Sequence, residues 1–298
     1  MSEKLPIFIA LGGFAAFYLA TLFSWLRQSG TADDPGAAPI PSTAHLATGF
    51  VTNFFDTLGI GSFATTTSIF KFWRMVPDRL IPGTLNVGHT LPVVFQAFIY
   101  ISVVKVDLTT LILMIMAAVA GAWFGAGKVA RLPRRSVQLG MAVVLLLAVA
   151  AMLMSQMELF PVGGDALELS GWRLAVGIVG NFGFAALSTL GAGLYAPCMI
   201  LVSLLGMNPV AAFPIMMGSS AFLMPIATAR FVRRNACHAV ATVGLAAGGL
   251  LAVPLAAFIV KSLPLAALRW LVIAVVLYAA ALMLRSASED SRPGAGEA

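Results

Sequence analysis

The chain has 298 residues, of which 60% are hydrophobic and 10% are charged. A soluble domain has about 45–50% apolar and about 25% charged residues, so this composition excludes an ordinary soluble domain and indicates an integral membrane protein. The net charge is +6, but the Lys and Arg residues lie in short gaps between apolar runs, where they act as topology signals and not as a nucleic-acid-binding stripe.

Several segments are long enough to cross a membrane, whose hydrocarbon core of about 30 Å takes about 20 helical residues. They are predicted at 5–26, 46–70, 80–104, 108–127, 136–157, 209–229, 239–260 and 265–284. The first lacks a small-residue cleavage site, so a retained helix is predicted and not a signal peptide. Residues 174–229 carry no charge, and one helix over 174–206 would be about 50 Å long, so that segment must break.

Two stretches rich in Pro, Gly, Ser and Ala separate the apolar regions and are predicted to be loose. The predicted organisation is an N-terminal transmembrane helix at 1–27, a flexible linker at 28–44, a first repeat at 45–157, an extracytoplasmic loop at 158–171, a second repeat at 172–286 and a disordered tail at 287–298.

An internal repeat is visible at an offset of 131 to 132 residues. TLGIG at 57–61 matches TLGAG at 189–193, and Pro77 matches Pro209. The predicted fold class is an all-α integral membrane protein. It has two inverted repeats, each consisting of a glycine-containing broken or re-entrant helix plus three transmembrane helices, after one extra N-terminal helix.

The distribution of Lys and Arg indicates whether each glycine segment crosses the membrane or turns back. If the segments cross, the two faces carry ten and eight of these residues, and if they turn back the faces carry thirteen and five. Cytoplasmic faces are enriched in Lys and Arg, so the count favours re-entrant hairpins. Three crossings per copy then invert the second copy relative to the first. Long, tilted, continuous helices stay open as the alternative.

A hairpin tip inside the membrane exposes backbone groups that lipid cannot satisfy, so it must line a protein or water-filled cavity. Glycines let the backbone turn and approach a ligand, and a half-helix beginning near Ser62 aims free N–H groups at the cavity. Such a site suits a small anion. The substrate-binding residues predicted on this basis are Gly59, Gly61, Ser62, Thr65, Gly191, Gly193 and Tyr195.

Two titratable residues are candidates for coupling or gating. A carboxylate such as Asp56 costs about 2.5–3.5 kcal/mol in a membrane and is a functional candidate by default, with a structural role bonding the hairpin N–H groups as the alternative. His89 is a candidate proton relay, with a buried neutral imidazole bonded to a neighbouring helix as the alternative. Cys198 and Cys237 have no metal-binding or CxxC spacing, and neither a metal nor a cofactor is predicted.

Other interpretations compete with an anion site. GIGSFA and GAGLYA fit the pattern GxGxxA, but that pattern has meaning only within a βαβ unit. Glycines and small hydroxyl residues often simply permit close helix packing. An intramembrane enzyme would use Ser62 or Ser188 as nucleophile and His89 as base, although no GxSxG setting occurs. A membrane scaffold or assembly protein would have no substrate of its own.

Two motifs occur in both copies. The glycine motif reads Gly59-Ile60-Gly61-Ser62-Phe63 and Gly191-Ala192-Gly193-Leu194-Tyr195, and the second motif reads Gly83-Thr84-Leu85 and Gly218-Ser219-Ser220. Over about residues 45 to 286 this arrangement resembles the TauE/SafE family of sulfite exporters and sulfonate permeases. The later glycines of the family's first motif are replaced in both copies, and the N-terminal helix is additional.

The resemblance implies a multi-pass secondary transporter of the bacterial inner membrane, and not an enzyme, that carries sulfite or an organosulfonate and is coupled to a proton or sodium gradient. It extends the expected substrate-binding residues to Thr84, Asn86, Ser219 and Ser220. The expected partners are this small anion and membrane lipid, with no nucleic acid. A homo-oligomer is compatible with the sequence.

Overall fold

The computed structural model describes residues 4–29, 41–59, 61–129, 131–159 and 164–259, with seven further residues between 277 and 288. Most of the predicted helix at 265–284, of the linker at 28–44 and of the tail at 287–298 lies outside the described residues.

Helices account for 83% of the described residues. Their order and bounds are α1 Leu5–Ser29, α2 Thr43–Thr57, α3 Ser62–Phe72, α4 Ile81–Gly88, α5 Thr90–Val103, α6 Leu108–Val129, α7 Arg134–Gln156, α8 Gly171–Leu187, α9 Tyr195–Leu204, α10 Ala212–Val232 and α11 Ala239–Ile259. Short 3-10 turns precede α4 and α10, and a π-helical turn at Ser188–Ala192 continues α8. Within the described residues the chain is an all-α protein.

Six of these helical segments are long and apolar enough to cross a membrane. They are Leu5–Arg27, Asp78–Val103, Leu108–Val129, Gly171–Leu190, Ala212–Val232 and Ala239–Ala257. A shorter apolar stretch lies at Arg135–Leu147 in α7. Helix α10 is 89% buried over its most apolar window and forms the centre of the bundle, whereas α1 is 22% buried and lies at its edge. These helices make the chain a multi-pass membrane protein.

The chain doubles back between α2 and α3. The imidazole of His89 bonds Asn53 of α2 at 3.1 Å and Thr66 of α3 at 3.0 Å, so these two residues lie at the same level. Farther from the turn that joins the two helices, the rings of His45 in α2 and Phe70 in α3 are 6.4 Å apart. In one continuous helix Asn53 and Thr66 would be about 20 Å apart. Helices α2 and α3 therefore form a hairpin, called hairpin 1 below.

Helices α8 and α9 also double back. A methyl group placed on Gly180 of α8 would lie 2.6 Å from Cδ2 of Leu201 in α9, and one on Gly177 would lie 3.6 Å from Cδ1 of Leu205. As the residue number falls along α8, the number of its neighbour on the returning arm rises. Helices α8 and α9 therefore form hairpin 2, and the uncharged segment at 174–206 breaks as predicted.

The two hairpins enter the bundle from opposite ends. The base of hairpin 1 lies beside the segment before α11, where the rings of His45 and His238 are 6.2 Å apart. The base of hairpin 2 lies beside the segment between α5 and α6, where the amide of Asp107 donates to the carbonyl of Leu167 at 3.0 Å. Helix α10 begins just after hairpin 2 and ends just before the segment that contacts hairpin 1, so its whole length separates the two bases.

The outgoing arm of each hairpin packs backbone to backbone against a long helix. A methyl group on Gly248 of α11 would lie 2.1 Å from the carbonyl oxygen of Leu46 in α2. One on Gly121 of α6 would lie 2.1 Å from the carbonyl oxygen of Phe182 in α8. Small residues permit this approach between membrane helices, so part of the glycine content serves packing, as the packing interpretation expects.

The stacked imidazoles of His45 and His238 predict acid sensitivity. Partial burial lowers the pKa of both side chains, and the neighbouring His238 lowers the pKa of His45 further. The native state therefore binds protons less readily than the unfolded state, so stability is lost as the pH falls through about 6.5. We expect the apparent Tm of the His45→Gln/His238→Gln variant to fall roughly 2 °C less than that of the wild type between pH 7.5 and 5.5. Thermal melts in detergent measure this, and equal falls contradict it.

Candidate functional site

The tips of both hairpins turn on glycines. Helix α2 ends at Thr57 and α3 begins at Ser62, with φ values of +84° at Gly59 and +86° at Gly61 between them. In the second hairpin Gly193 has φ of +72°, and α9 begins two residues later. Glycine is the residue that adopts such angles without strain. The predicted breaks and the start of α3 at Ser62 are confirmed, but Gly191 lies within the π-helical turn and does not make the bend.

Asp56 caps the returning arm of hairpin 1. Its Oδ1 accepts a hydrogen bond from the backbone N–H of Ser62 at 2.5 Å, and the residue is 1% exposed. The first N–H groups of a helix have no partner in their own helix and carry the positive end of its dipole, so a carboxyl group is favoured there. This is the structural alternative stated for Asp56. The Ser62 amide, predicted to be free for an anion, is already bonded.

Tyr195 joins the two tips. Its hydroxyl lies 3.2 Å from Oδ2 of Asp56 and 3.0 Å from Oε1 of Gln96 in α5. Nearby, a methyl group on Gly193 would lie 3.7 Å from Cβ of Phe63. The structure thus brings together Asp56, Ser62, Gly193 and Tyr195 in one buried cluster, called the tip cluster below.

Helix α5 contributes two residues that bond to the tip of hairpin 1 and that the predicted site omitted. Gln96 donates from Nε2 to Oγ1 of Thr57 at 3.0 Å, and the Tyr100 hydroxyl donates to the carbonyl of Thr57 at 2.5 Å. Gln96 and Tyr100 are four residues apart and so lie on one face of the helix. Two polar residues spaced by four on an apolar helix are the signal in the sequence that could have identified them.

His89 holds hairpin 1 in place. Asn53 donates from its side-chain amide to the carbonyl of Gly49 at 2.7 Å, so its Oδ1 is left to accept from Nδ1 of His89. Nε2 of the same ring then accepts from Thr66. Both ring nitrogens of a neutral imidazole are used in this way. The geometry supports the structural alternative for His89 and gives no support to a proton relay.

The other predicted residues lie away from the tip cluster or bond to their own helices. Thr65 donates to the carbonyl of Ser62 at 2.8 Å. Thr84 accepts from the amide of His238 at 2.9 Å and so lies near the base of hairpin 1. Asn86 donates to the carbonyl of Pro82 at 2.8 Å, and its Oδ1 is buried without a partner.

The second motif of the second copy lies in α10. Ser219 accepts from the side-chain amide of Asn181 at 3.0 Å, and this bond ties hairpin 2 to the central helix. Ser220 is buried beside it, 5% exposed. Asn181 and Ser219 thus connect hairpin 2 to α10 in the way that Asn53 and His89 connect hairpin 1 to the start of α5.

A cleft of about 770 Å³ lies between α1 and the segment that joins α10 to α11, with Trp25, Arg233 and His238 among its lining residues. None of the predicted site residues lines it.

Arg230 stacks its guanidinium 3.6 Å from the ring centre of Trp123.

Gly61 gives a test of the bend itself. No heavy atom lies within 4 Å of the position where a methyl group would stand, so space does not require glycine there, but φ is +86°. We expect Gly61→Ala to destabilise the protein by about 1–2 kcal/mol because an L-residue is strained at positive φ. Gly12→Ala, also in open space but inside α1, is the matched control and is expected to be neutral or stabilising. Similar apparent Tm values for the two variants would contradict this account.

Comparison of the chain with models of protein families, with curated proteins and with solved structures found no match. The class of protein is therefore defined by the fold and the site. The chain is a multi-pass α-helical membrane protein in which two broken helices meet in the interior.

Proposed function

We propose that the protein is a secondary transporter that moves a small anion by alternating access around the tip cluster. One observation carries the proposal: hairpins from opposite ends of the bundle meet through Asp56 and Tyr195. Broken helices are tolerated at membrane depth where they line a cavity or are buried in protein. In transporters with inverted repeats, such half-helices place the positive ends of their dipoles at the substrate near the midplane.

The finer architecture proposed is a pair of inverted repeats at 45–157 and 172–286, each with a re-entrant hairpin and three crossings. The opposed bases of the hairpins and the thirteen-to-five distribution of Lys and Arg both support it. The same charge distribution supports an orientation with the base of hairpin 1 on the cytoplasmic side. The inner-membrane location is proposed from the resemblance to TauE/SafE transporters. Either a proton or a sodium ion is the coupling ion.

The substrate proposed is sulfite or an organosulfonate, and the support for it is the resemblance of the two duplicated motifs to TauE/SafE transporters. The donors proposed for an oxyanion at the tips are the first-turn amides of α3 that follow Ser62, whose own amide is bonded to Asp56, and the amides that follow Gly193. An anion held by backbone dipoles needs no buried Lys or Arg.

Transport in proteoliposomes tests the proposal. We expect uptake of labelled sulfite or methanesulfonate by the wild type and a loss of more than tenfold in Gly61→Leu and Gly193→Leu, because a side chain at either tip blocks the approach of the anion. Gly12→Leu, in open space at the edge of the bundle, is the matched control and should transport normally. Absence of uptake and binding for both anions would refute the substrate class. Unchanged rates in both tip variants would refute the site.

The enzyme alternative has little geometric support. His89 bonds Asn53 and Thr66, and the hydroxyl of Ser188 donates to the carbonyl of Ala185 at 2.8 Å, so neither candidate nucleophile is bonded to that base. A scaffold without a substrate is the second alternative. A thermal shift of the purified protein with sulfite or methanesulfonate distinguishes it from a transporter, because a ligand that binds the native state raises its apparent stability.

A further inference from the structure

The hydrogen-bond chain through the tip cluster has a fixed direction at one end. Thr57 donates its hydroxyl proton to the carbonyl of Asn53 at 2.8 Å, so its oxygen can only accept from Gln96. The group of Gln96 that faces Thr57 is therefore the NH₂, and the carbonyl Oε1 faces Tyr195. Exchanging the two ends of the Gln96 amide would leave Oε1 beside an oxygen with no proton to give.

Tyr195 consequently stands between two acceptors with one proton to share. Its hydroxyl faces Oε1 of Gln96 at 3.0 Å and Oδ2 of Asp56 at 3.2 Å. When Asp56 is ionised, only one of these two contacts is a hydrogen bond. One added proton on Oδ2 completes the chain, because Asp56 then donates to Tyr195 and Tyr195 donates to Gln96. Oδ1 still accepts from Ser62 in that state.

The surroundings of Asp56 offer no compensating positive charge. The titratable groups that face it are the hydroxyls of Tyr195 from α9 and Tyr100 from α5. Helix α11, which packs along α2, has no titratable side chain between Ala239 and Ile259. Within the described residues Asp56 has hydrogen bonds from Ser62, Gln96 and Tyr195 but no ion-pair partner, and a buried carboxylate without a positive charge beside it is costly in a membrane protein.

We propose that Asp56 is a proton-binding site and that its proton completes the hydrogen-bonded connection between the two hairpins. The proton passes from water to Oδ2, and no covalent bond other than O–H forms or breaks. A second step rests on the proposed function: an ionised Asp56 repels an anion at the tips, so the anion and the proton bind together, and proton binding drives anion binding. Proton binding itself stands without transport.

Infrared difference spectroscopy of the full-length protein tests the proton site directly. Between about pH 4 and pH 9, a range that spans the usual carboxyl and histidine values, we expect a protonated-carboxyl band that disappears on alkalinisation and is absent from Asp56→Asn. Asn keeps the acceptor for Ser62 and offers Tyr195 a donor, so this variant imitates the protonated state. A difference spectrum of Asp56→Asn identical to that of the wild type would overturn the proposal.

A matched carboxylate controls for general effects. Asp107 caps α6 by accepting from the amide of Thr110 at 2.7 Å, as Asp56 caps α3, but it lies at the base of hairpin 2. Asp107→Asn should keep the Asp56 band. Tyr195→Phe should move that band to higher frequency because the carboxyl loses its hydrogen-bond acceptor. If Asp56→Asn does not fold, this shift is the test that identifies the band as that of Asp56. A band unmoved by Tyr195→Phe would count against the proposal.

Binding of methanesulfonate tests the coupling, since its charge does not change over this pH range. For linkage to one proton, we expect the Kd of the wild type to rise up to about tenfold per pH unit above the titration midpoint of the band and the Kd of Asp56→Asn to be independent of pH. Equal pH dependence in both proteins would overturn the coupling. If neither the wild type nor Asp56→Asn binds methanesulfonate or sulfite while the band titrates, the result supports the proton site and refutes the proposed anion transporter.

Discussion

We expect Gly121→Ala to destabilise the protein by about 1–3 kcal/mol, because overpacking a tight interface forces backbones apart. The added methyl group would lie 2.1 Å from the carbonyl oxygen of Phe182, which is backbone and cannot rotate away. The outgoing arm of hairpin 2 would therefore move off α6, and with it the tip that carries Tyr195. The apparent Tm in detergent and the transport rate should fall together.

The control for this prediction is a glycine of α8 whose methyl position faces open space instead of α6. Gly183 lies in α8, next to Phe182, and no heavy atom lies within 4 Å of its methyl position. Gly183→Ala is expected to leave the protein unchanged or to stabilise it by up to about 1 kcal/mol, the difference in helix propensity between the two residues. If both variants melt alike, close packing at Gly121 does not hold hairpin 2.

We expect a double-mutant cycle on Asp56→Ala and Tyr195→Phe to give a coupling free energy of about 0.5–3 kcal/mol, the range for residues in one hydrogen-bond network. Asp56→Ala alone should cost about 1–3 kcal/mol because it leaves the buried amide of Ser62 without an acceptor. Tyr195→Phe should cost less in that background than in the wild type, since its partner is already gone. Denaturation of the four proteins in detergent measures the cycle.

A second cycle shows whether the coupling is local. Trp25 donates to the side chain of Asn235 at 3.1 Å, at the end of the bundle where hairpin 1 has its base, and it shares no partner with Tyr195. Trp25→Phe combined with Tyr195→Phe should be additive within about 0.5 kcal/mol. A coupling as large as that of the Asp56 pair would mean that the first cycle reports a general loosening of the bundle.

Much of the helical framework was predictable from the sequence. An apolar run longer than a membrane is thick has to break, and the glycines at 59, 61 and 193 mark where it does. The start of α3 at Ser62 follows from the same pattern. The prediction named Gly191 and Gly193 together as the second glycine segment, and in the structure the chain continues through a π-helical turn at Gly191 and bends at Gly193. The sequence alone does not show which of two glycines spaced two residues apart will adopt the positive φ of the bend.

The members of the tip cluster were only partly predictable. Asp56 and Tyr195 are 139 positions apart in sequence, and only the opposed hairpins bring them within 3.2 Å. The spacing of Gln96 and Tyr100 puts them on one face of α5, but only the packing of α5 against the tip of hairpin 1 decides which groups that face contacts. The free amide expected at Ser62 was not free, because a side chain six residues earlier reaches across the turn to it.

The sequence by itself determined that the protein is helical and lies in a membrane, and where its helices break, because composition, segment length and the backbone freedom of glycine are local properties of the chain. Tertiary structure alone decided that His89 is used up in holding hairpin 1, that Thr84 lies near the base of that hairpin, and that Asp56 faces a phenol from the other hairpin. The partners of a buried polar group are set by helix packing, which brings together residues far apart in the chain. The sequence around each residue therefore does not identify its partner.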